Sequence, residues 1–225
     1  MNLTTQRADI GFWDAFAPWY EKWLSRTAYH HPIVHEISGM LEPGWSVLDI
    51  GAGTGVLSLP LTALGCTVEA VEPSGGMRRI FLEKLTSLRV TGVDISPQRW
   101  ETYTRSGEKA PDLIVACNSL HLVDGGIMTA MDKVFAQGAR NICLVTEINL
   151  DRFIDFKEIG RLQRDYAFLF IKNFTVDSTF YFDSMDDVTD LSELLGRNIA
   201  VVTTRNTVFE RDSTDIALLW WEKKA

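Results

Sequence analysis

Val47-Leu48-Asp49-Ile50-Gly51-Ala52-Gly53-Thr54-Gly55 is a short apolar run that passes directly into alternating glycines. Val47, Leu48 and Ile50 suit a strand buried on both faces of a parallel sheet. The glycines that follow tolerate positive φ and let backbone approach a ligand with no side chain in between. Such a loop lies at the carboxyl end of its strand, the edge where open α/β sheets bind their ligands. One glycine-rich loop is weak by itself, and the second mark is an acid at the end of the next strand, about 20 residues on, to hold ribose hydroxyls. Thr67-Val68-Glu69-Ala70-Val71 reads as that strand, and Glu72 follows it, 21 residues after Gly51. An acid at a strand end also occurs as an ordinary solvated loop residue.

The run from Val47 to Glu72, with Gly51, Gly53 and Gly55 in a G-x-G-x-G pattern, resembles the first two motifs of the class I S-adenosylmethionine-dependent methyltransferases. A dinucleotide fingerprint fits less well, because its third small position is Val56 here, where a pyrophosphate needs a small residue and a free helix amino end. The resemblance implies S-adenosyl-L-methionine (SAM) as cofactor and S-adenosyl-L-homocysteine (SAH) as its product. It places Asp49 and the loop Gly51, Ala52, Gly53 and Gly55 at the methionine part, and Glu72 with the following Pro73 at the ribose. The likeness covers most of the chain in layout and a smaller part in recognisable residues.

The bounds set by composition agree with one α/β domain, since 225 residues at 46% hydrophobic content supply a single sizeable core. Thirty acids against 22 bases give a formal charge of −8. With no Lys/Arg cluster, this argues against a polyanion as main partner. No apolar run reaches the ~18 residues of a membrane span and Met1 to Asp9 lack a secretory pattern, so the expectation is a soluble, cytoplasmic protein without membrane contact. Cys66, Cys117 and Cys143 stand singly in or beside apolar runs without C-x-x-C, which reads as reduced, buried thiols.

Phe12 to Leu24 is dense in aromatics, and Pro18 is expected to split it into two short helical pieces forming a flap or cap. Aromatics at helical spacing also serve as core. In the resembling family such a leader covers the SAM pocket, which implies Tyr20 near the methionine end and Trp13 and Trp19 walling the acceptor side. His30, His31 and His35 lack a third ligand nearby and fall short of a zinc set, so no metal is expected. Beyond them a helix is expected over Ile33–Leu41 and, after the glycine loop, another over Val56–Leu64, kinked at Pro60. Met77–Leu85 reads as helix and Leu88–Thr91 as the third strand. Just past it the resemblance implies that Asp94 receives the adenine amino group and the Ile95 N–H meets the ring, although this segment also reads as a solvated turn.

Asp112 to Asn118 is an apolar fourth strand leading to Ser119-Leu120-His121. The resemblance puts Asn118, Ser119 and His121 beside the sulfonium and the methyl acceptor. His121 is a candidate general base, its ordinary pKa lying near neutrality, and equally reads as a packing histidine. The Asn/Asp-Pro-Pro-Tyr/Phe tetrad of amino-methylating nucleic-acid enzymes is absent. Helix is expected over Ile127–Gln137 and strand over Asn141–Ile148. From Leu150 to Phe182 the pattern reads as helical and aromatic, with Lys157, Arg161 and Arg164 on one helix face that selects an anionic acceptor if it turns inward. Met185–Leu195 reads as helix, and Asn198–Phe209 with Asp215–Glu222 as a closing hairpin.

The expected fold is therefore a seven-stranded, mostly parallel Rossmann-like sheet with a C-terminal antiparallel hairpin, helices on both faces and an N-terminal helical flap. Its expected divisions are a cap over 1–44, a SAM-binding core over 45–148, an acceptor-covering insertion over 149–197 and the hairpin over 198–225. The expected activity is methyl transfer to a small molecule by a monomer or homodimer, driven mainly by positioning. An RNA methyltransferase and a non-catalytic SAM-binding regulator are the alternatives.

Overall fold

The computed structural model describes residues 9–105, 107, 109–148, 165–205 and 207–225. Strand β1 (Ser46–Ile50) lies inside a seven-stranded sheet, flanked in parallel by β2 (Thr67–Val71) and β4 (Leu113–Cys117). Both its faces are covered, which is why Val47, Leu48 and Ile50 are apolar and buried. The sheet continues outward through β3 (Val93–Ser96) on one side and β5 (Asn141–Glu147) on the other, in the order β3-β2-β1-β4-β5-β10-β6. The order reverses between β1 and β4. That crevice, at the carboxyl ends of the strands, is where an open α/β sheet receives a ligand.

Strand β10 (Ser213–Lys223) runs antiparallel between β5 and β6 (Tyr166–Asp177). Its side chains alternate between two cores. Ile216, Leu218 and Trp220 join the core under the N-terminal helices, while Ala217, Leu219 and Trp221 join the core on the opposite face. Its antiparallel partner differs from the expected one. Residues 198–209 do not pair with β10; β8 (Val202–Thr203) and β9 (Val208–Glu210) instead form a small separate sheet with β7 (Phe180–Phe182). The partner is β6, in the stretch expected to be helical. At the sheet edge β6 buries few side chains, so Lys172 and Asn173 break the alternation that marks a strand, while Phe170 stacks on Trp220 and Phe168 leans on Trp221. The expected insertion thus contributes a strand to the main sheet. Lys157, Arg161 and Arg164, with Phe153 and Phe156, lie outside the described residues.

Helix α1 (Ile10–Leu24) is continuous through Pro18, contrary to the expected break. Proline here removes the bond to the Asp14 carbonyl and costs about 3 kcal/mol. Burial of Phe16, Ala17 and Trp23 offsets that, at roughly 1.5–3 kcal/mol for each large side chain. Asp14 also anchors the helix: its Oδ1 accepts from Ser74 Oγ at 2.6 Å and from the Gly76 amide at 2.9 Å. Ser74 is itself the N-cap of α4 (Gly75–Leu88). A Cβ on Gly76 would come within 2.5 Å of the Asp14 carbonyl oxygen, so the helices meet backbone to backbone.

Three further boundaries move. After α2 (His31–Ser38), helix α3 covers only Ser58–Ala63, which leaves Pro60 in its first turn, where no amide is missed and no kink follows. Helix α4 extends three residues past the expected end and stops on Arg89 in the left-handed region. The third strand consequently begins at Val93 and not at Leu88, and Asp94 and Ile95 sit within it, paired with Glu69 and Ala70. The remaining helices, α5 (Gly126–Ala136) and α6 (Met185–Leu195), lie where expected. Among the described residues no helix is long and apolar enough to cross a membrane. Asp14→Ala should cost about 1 kcal/mol, by analogy with loss of a capping carboxylate, and should speed amide exchange in the first half of α1; native exchange there would show that aromatic packing alone holds the helix.

Candidate functional site

The cleft at the β1/β4 crevice is lined from both sides, by the glycine loop and Glu72 beneath and by α1 above. Its empty space, open mouth included, is about 1550 Å³. Gly51 and Gly55 have φ of +71° and +83°, and both are pressed against neighbours: an added Cβ would lie 2.3 Å from Ser119 Cβ or 2.2 Å from the Phe81 ring. Gly55 therefore serves packing on α4 and is not in the lining, whereas Gly51, Ala52 and Gly53 are.

Glu72 couples the loop to the next strand. One carboxylate oxygen accepts the Gly53 amide at 2.7 Å, the other the Ser74 amide at 2.8 Å. The side chain is only 7% exposed, and burial pushes its pKa up to about 7 despite both hydrogen bonds. Asp49 is also buried, with Ser58 Oγ donating to it at 2.6 Å, and burial raises its pKa to about 6. Among the described residues neither carboxylate makes a direct ion pair, Arg78 acting on Glu72 at longer range, and two such carboxylates suit hydroxyl donors and positive charge. Pro73 lines the cleft beside Glu72.

The structure also gathers Tyr20, Asn118, Ser119 and His121 around the cleft, as expected. Ser119 donates its hydroxyl to the Ile50 carbonyl at 2.5 Å, which locks the end of β4 to the end of β1. Asn118 adopts φ +49°, turning the chain sharply out of β4, and donates from Nδ2 to the Tyr29 hydroxyl at 2.8 Å. His121 sits in a one-turn 3-10 helix, Leu120–Leu122. Trp13 lines the cleft, but Trp19 packs against Phe180 and stands outside it.

Asp94 and Ile95 are not in the lining. Because β3 starts late, the residues just past its end are Arg99, Trp100 and Glu101, and these line the cleft instead. Trp100 is buried against Tyr103 with its indole N–H on the Ala130 carbonyl, and Glu101 accepts the Asp124 amide. Tyr29, His30 and Glu147 also line it without having been expected there. For Glu147 a signal existed, an acid at a strand end; for Tyr29 and His30 there was none, since their place depends on how α2 docks. No group of metal-binding side chains occurs among the described residues.

The family model of the methyltransferase domain matches residues 20–136, just over half of the sequence. The chain belongs to this methyltransferase-domain family. No curated protein sequence matches it. In structure it is similar to a TehB-like SAM-dependent methyltransferase from Corynebacterium glutamicum, at 13% identity and TM-score 0.61, covering 96% of this chain and 100% of that one. It is similar also to magnesium protoporphyrin IX methyltransferase from Synechocystis, solved with bound SAM, at 14% identity and TM-score 0.55 over 84% and 79% of the two chains. A precorrin-6y C5,15-methyltransferase from Geobacter metallireducens matches at 16% identity and TM-score 0.56 over 85% and 86%. Identities this low establish the shared Rossmann-like methyltransferase fold, and the expected cofactor, SAM, agrees with that fold and with the SAM-bound neighbour.

In this methyltransferase-domain protein the raised Glu72 pKa sets a pH dependence. A carboxyl that titrates near 7 folded and near 4.5 unfolded holds more protons in the native state between those values, so its contribution to stability is lost as pH rises through them. Glu72→Gln should therefore gain stability relative to the native chain from about pH 4.5 to 7 and hold that advantage above, as measured by urea unfolding; a difference independent of pH would show that Glu72 titrates normally.

Proposed function

We propose that the chain transfers the methyl group of SAM to a small-molecule acceptor. The observation that carries this reading is the carboxylate of Glu72 held 2.7 Å from the Gly53 amide, at one end of a cleft that continues past Asn118 and His121 to Tyr29 and Glu147. Bound SAM supplies an electrophilic methyl on a sulfonium, so the protein's task is to bind, orient and exclude water. The fit is supported by the residues present. Glu72 presents a buried acceptor for the ribose hydroxyls, Gly51 and Gly53 leave backbone bare, and Asp49 provides unpaired negative charge at the methionine end. With no phosphate to bind, the site needs no cation beneath the loop.

Alignment of donor and acceptor can supply about 7–11 kcal/mol of the barrier, against roughly 10²–10⁴ in rate for a general base. Tyr20 and the rest of α1 close the cleft from above and keep water out. His121, at the end of β4, is the residue placed to take a proton from the acceptor. The acidic balance of the chain and the acidic, aromatic lining of the cleft support a small molecule over RNA.

Gly53→Val sets a branched side chain at φ +57° in front of Tyr20, and Asp49→Ala removes the charge beside the loop. Both should abolish calorimetric binding of SAH in a protein that still unfolds cooperatively; normal titration in either would refute the site. His121→Ala should lower turnover about 10²-fold or more with SAH affinity nearly unchanged; unchanged turnover would remove His121 from the chemistry.

A further inference from the structure

The half of the cleft beyond the glycine loop has a chemistry of its own. Four rings make one continuous wall there: Tyr20 to Trp23 at 5.7 Å between centroids, Trp23 to Tyr29 at 5.0 Å, and Tyr29 to His30 at 4.8 Å. Glu147 closes that half from the end of β5, where β10 runs alongside, with Tyr29 Oη at 3.5 Å from its Oε1. Among the described residues lining the whole cleft, four carboxylates (Asp49, Glu72, Glu101 and Glu147) stand against one guanidinium, Arg99. Three of the four already have a role. Asp49 and Glu72 belong to the cofactor half in the reading above, and Glu101 caps Asp124. Glu147 is left over.

Two further atoms point the same way. Asn118 Oδ1 is buried with no hydrogen-bond partner among the described residues, its amide nitrogen being committed to Tyr29. His30 Nδ1 is likewise unpartnered, in a side chain 94% buried by its 6% exposure, and burial drives its pKa down to about 3, so the ring is neutral. A buried polar atom left unsatisfied costs about 1–3 kcal/mol. A neutral imidazole accepts as readily as it donates. This half of the cleft thus offers acceptors and negative charge within an aromatic wall, the environment that holds a nitrogen base bearing N–H groups.

We infer that the methyl acceptor is an amine, seated against the Tyr20–Trp23–Tyr29–His30 wall with its N–H groups on Glu147 and Asn118 Oδ1. The inference rests on the methyltransferase reading of the same cleft and names its substrate class. Transfer forms an N–C bond as the sulfonium C–S bond breaks, the sulfur keeping the electron pair, and the nitrogen, held through an N–H by Glu147, gives up one proton to His121 of the same cleft. The basic face that would select an anion, Lys157 to Arg164, lies outside the described residues, whereas the described lining is acidic.

The test uses three isosteric probes: 2-phenylethylamine, 2-phenylethanol and phenylacetate, titrated into the full chain with and without saturating SAH, read by calorimetry and tryptophan fluorescence. The amine should bind at least about tenfold more tightly than either isostere. Glu147→Gln should erase that preference while leaving SAH affinity unchanged, and Tyr29→Phe, which keeps the ring, should weaken it in part. Phenylacetate binding as tightly as the amine, an amine preference that survives both substitutions, or binding of none of the three would overturn the amine site. SAH binding in the same titrations decides the cofactor reading separately.

Discussion

The carboxylate of Glu72 is the point on which the site depends. It leaves the end of β2 and accepts one amide from the glycine loop and one from the start of α4. The glycine loop, the end of β2 and the start of α4 are thereby held at fixed spacing around one buried charge. Burying a carboxylate is costly, and two backbone amides with the nearby Arg78 guanidinium repay only part of that, which is why its pKa is raised. On the proposed reading, a ligand that donates hydroxyl groups to Glu72 would relieve that cost.

The helix above the site is tied to the same place by a second carboxylate. Asp14 on α1 accepts from Ser74 and Gly76, the residues immediately after Glu72. Hydrogen bonds from the Gly76 amide and the Ser74 hydroxyl hold the Asp14 carboxyl below its usual range. The cap and the floor of the cleft thus share one turn, residues 72–76. The helix carries its proline because Phe16 and Trp23 bury enough apolar surface to hold it, with the bare Asp14 carbonyl turned onto a glycine. On the far side of the sheet, consecutive Trp220 and Trp221 nail β10 into both cores and so fix the position of β5 and of Glu147 at its end.

Electrostatically the cleft is acidic over both halves, with Asp49 and Glu72 buried and Glu101 and Glu147 partly so. A polyanionic ligand would meet repulsion there. A sulfonium nucleoside and a nitrogen base would not, which unites the reading of the loop with that of the aromatic wall under one physical cause.

The local pattern determined the elements whose residues are buried on both faces or are pinned by glycine. β1, β2, β4 and β5 are apolar runs with sharp ends, and the spacing from Gly51 to Glu72 announces a crossover and its acid. Edge and proline-bearing segments were not legible in the same way. β6 reads as helix because one exposed edge erases its alternation, β3 slides because α4 continues to a left-handed Arg89, and α1 survives Pro18 through contacts made by residues far along the chain. The same limit governs the site. Asp49, the loop and Glu72 are encoded within 24 consecutive residues, from Asp49 to Glu72, so local order sufficed. Arg99, Trp100 and Glu101 replace Asp94 and Ile95 only once the strand register is set, and Tyr29, His30 and Glu147 meet only when α2 docks on the sheet, because a wall made by side chains from different elements has no signature in any one of them.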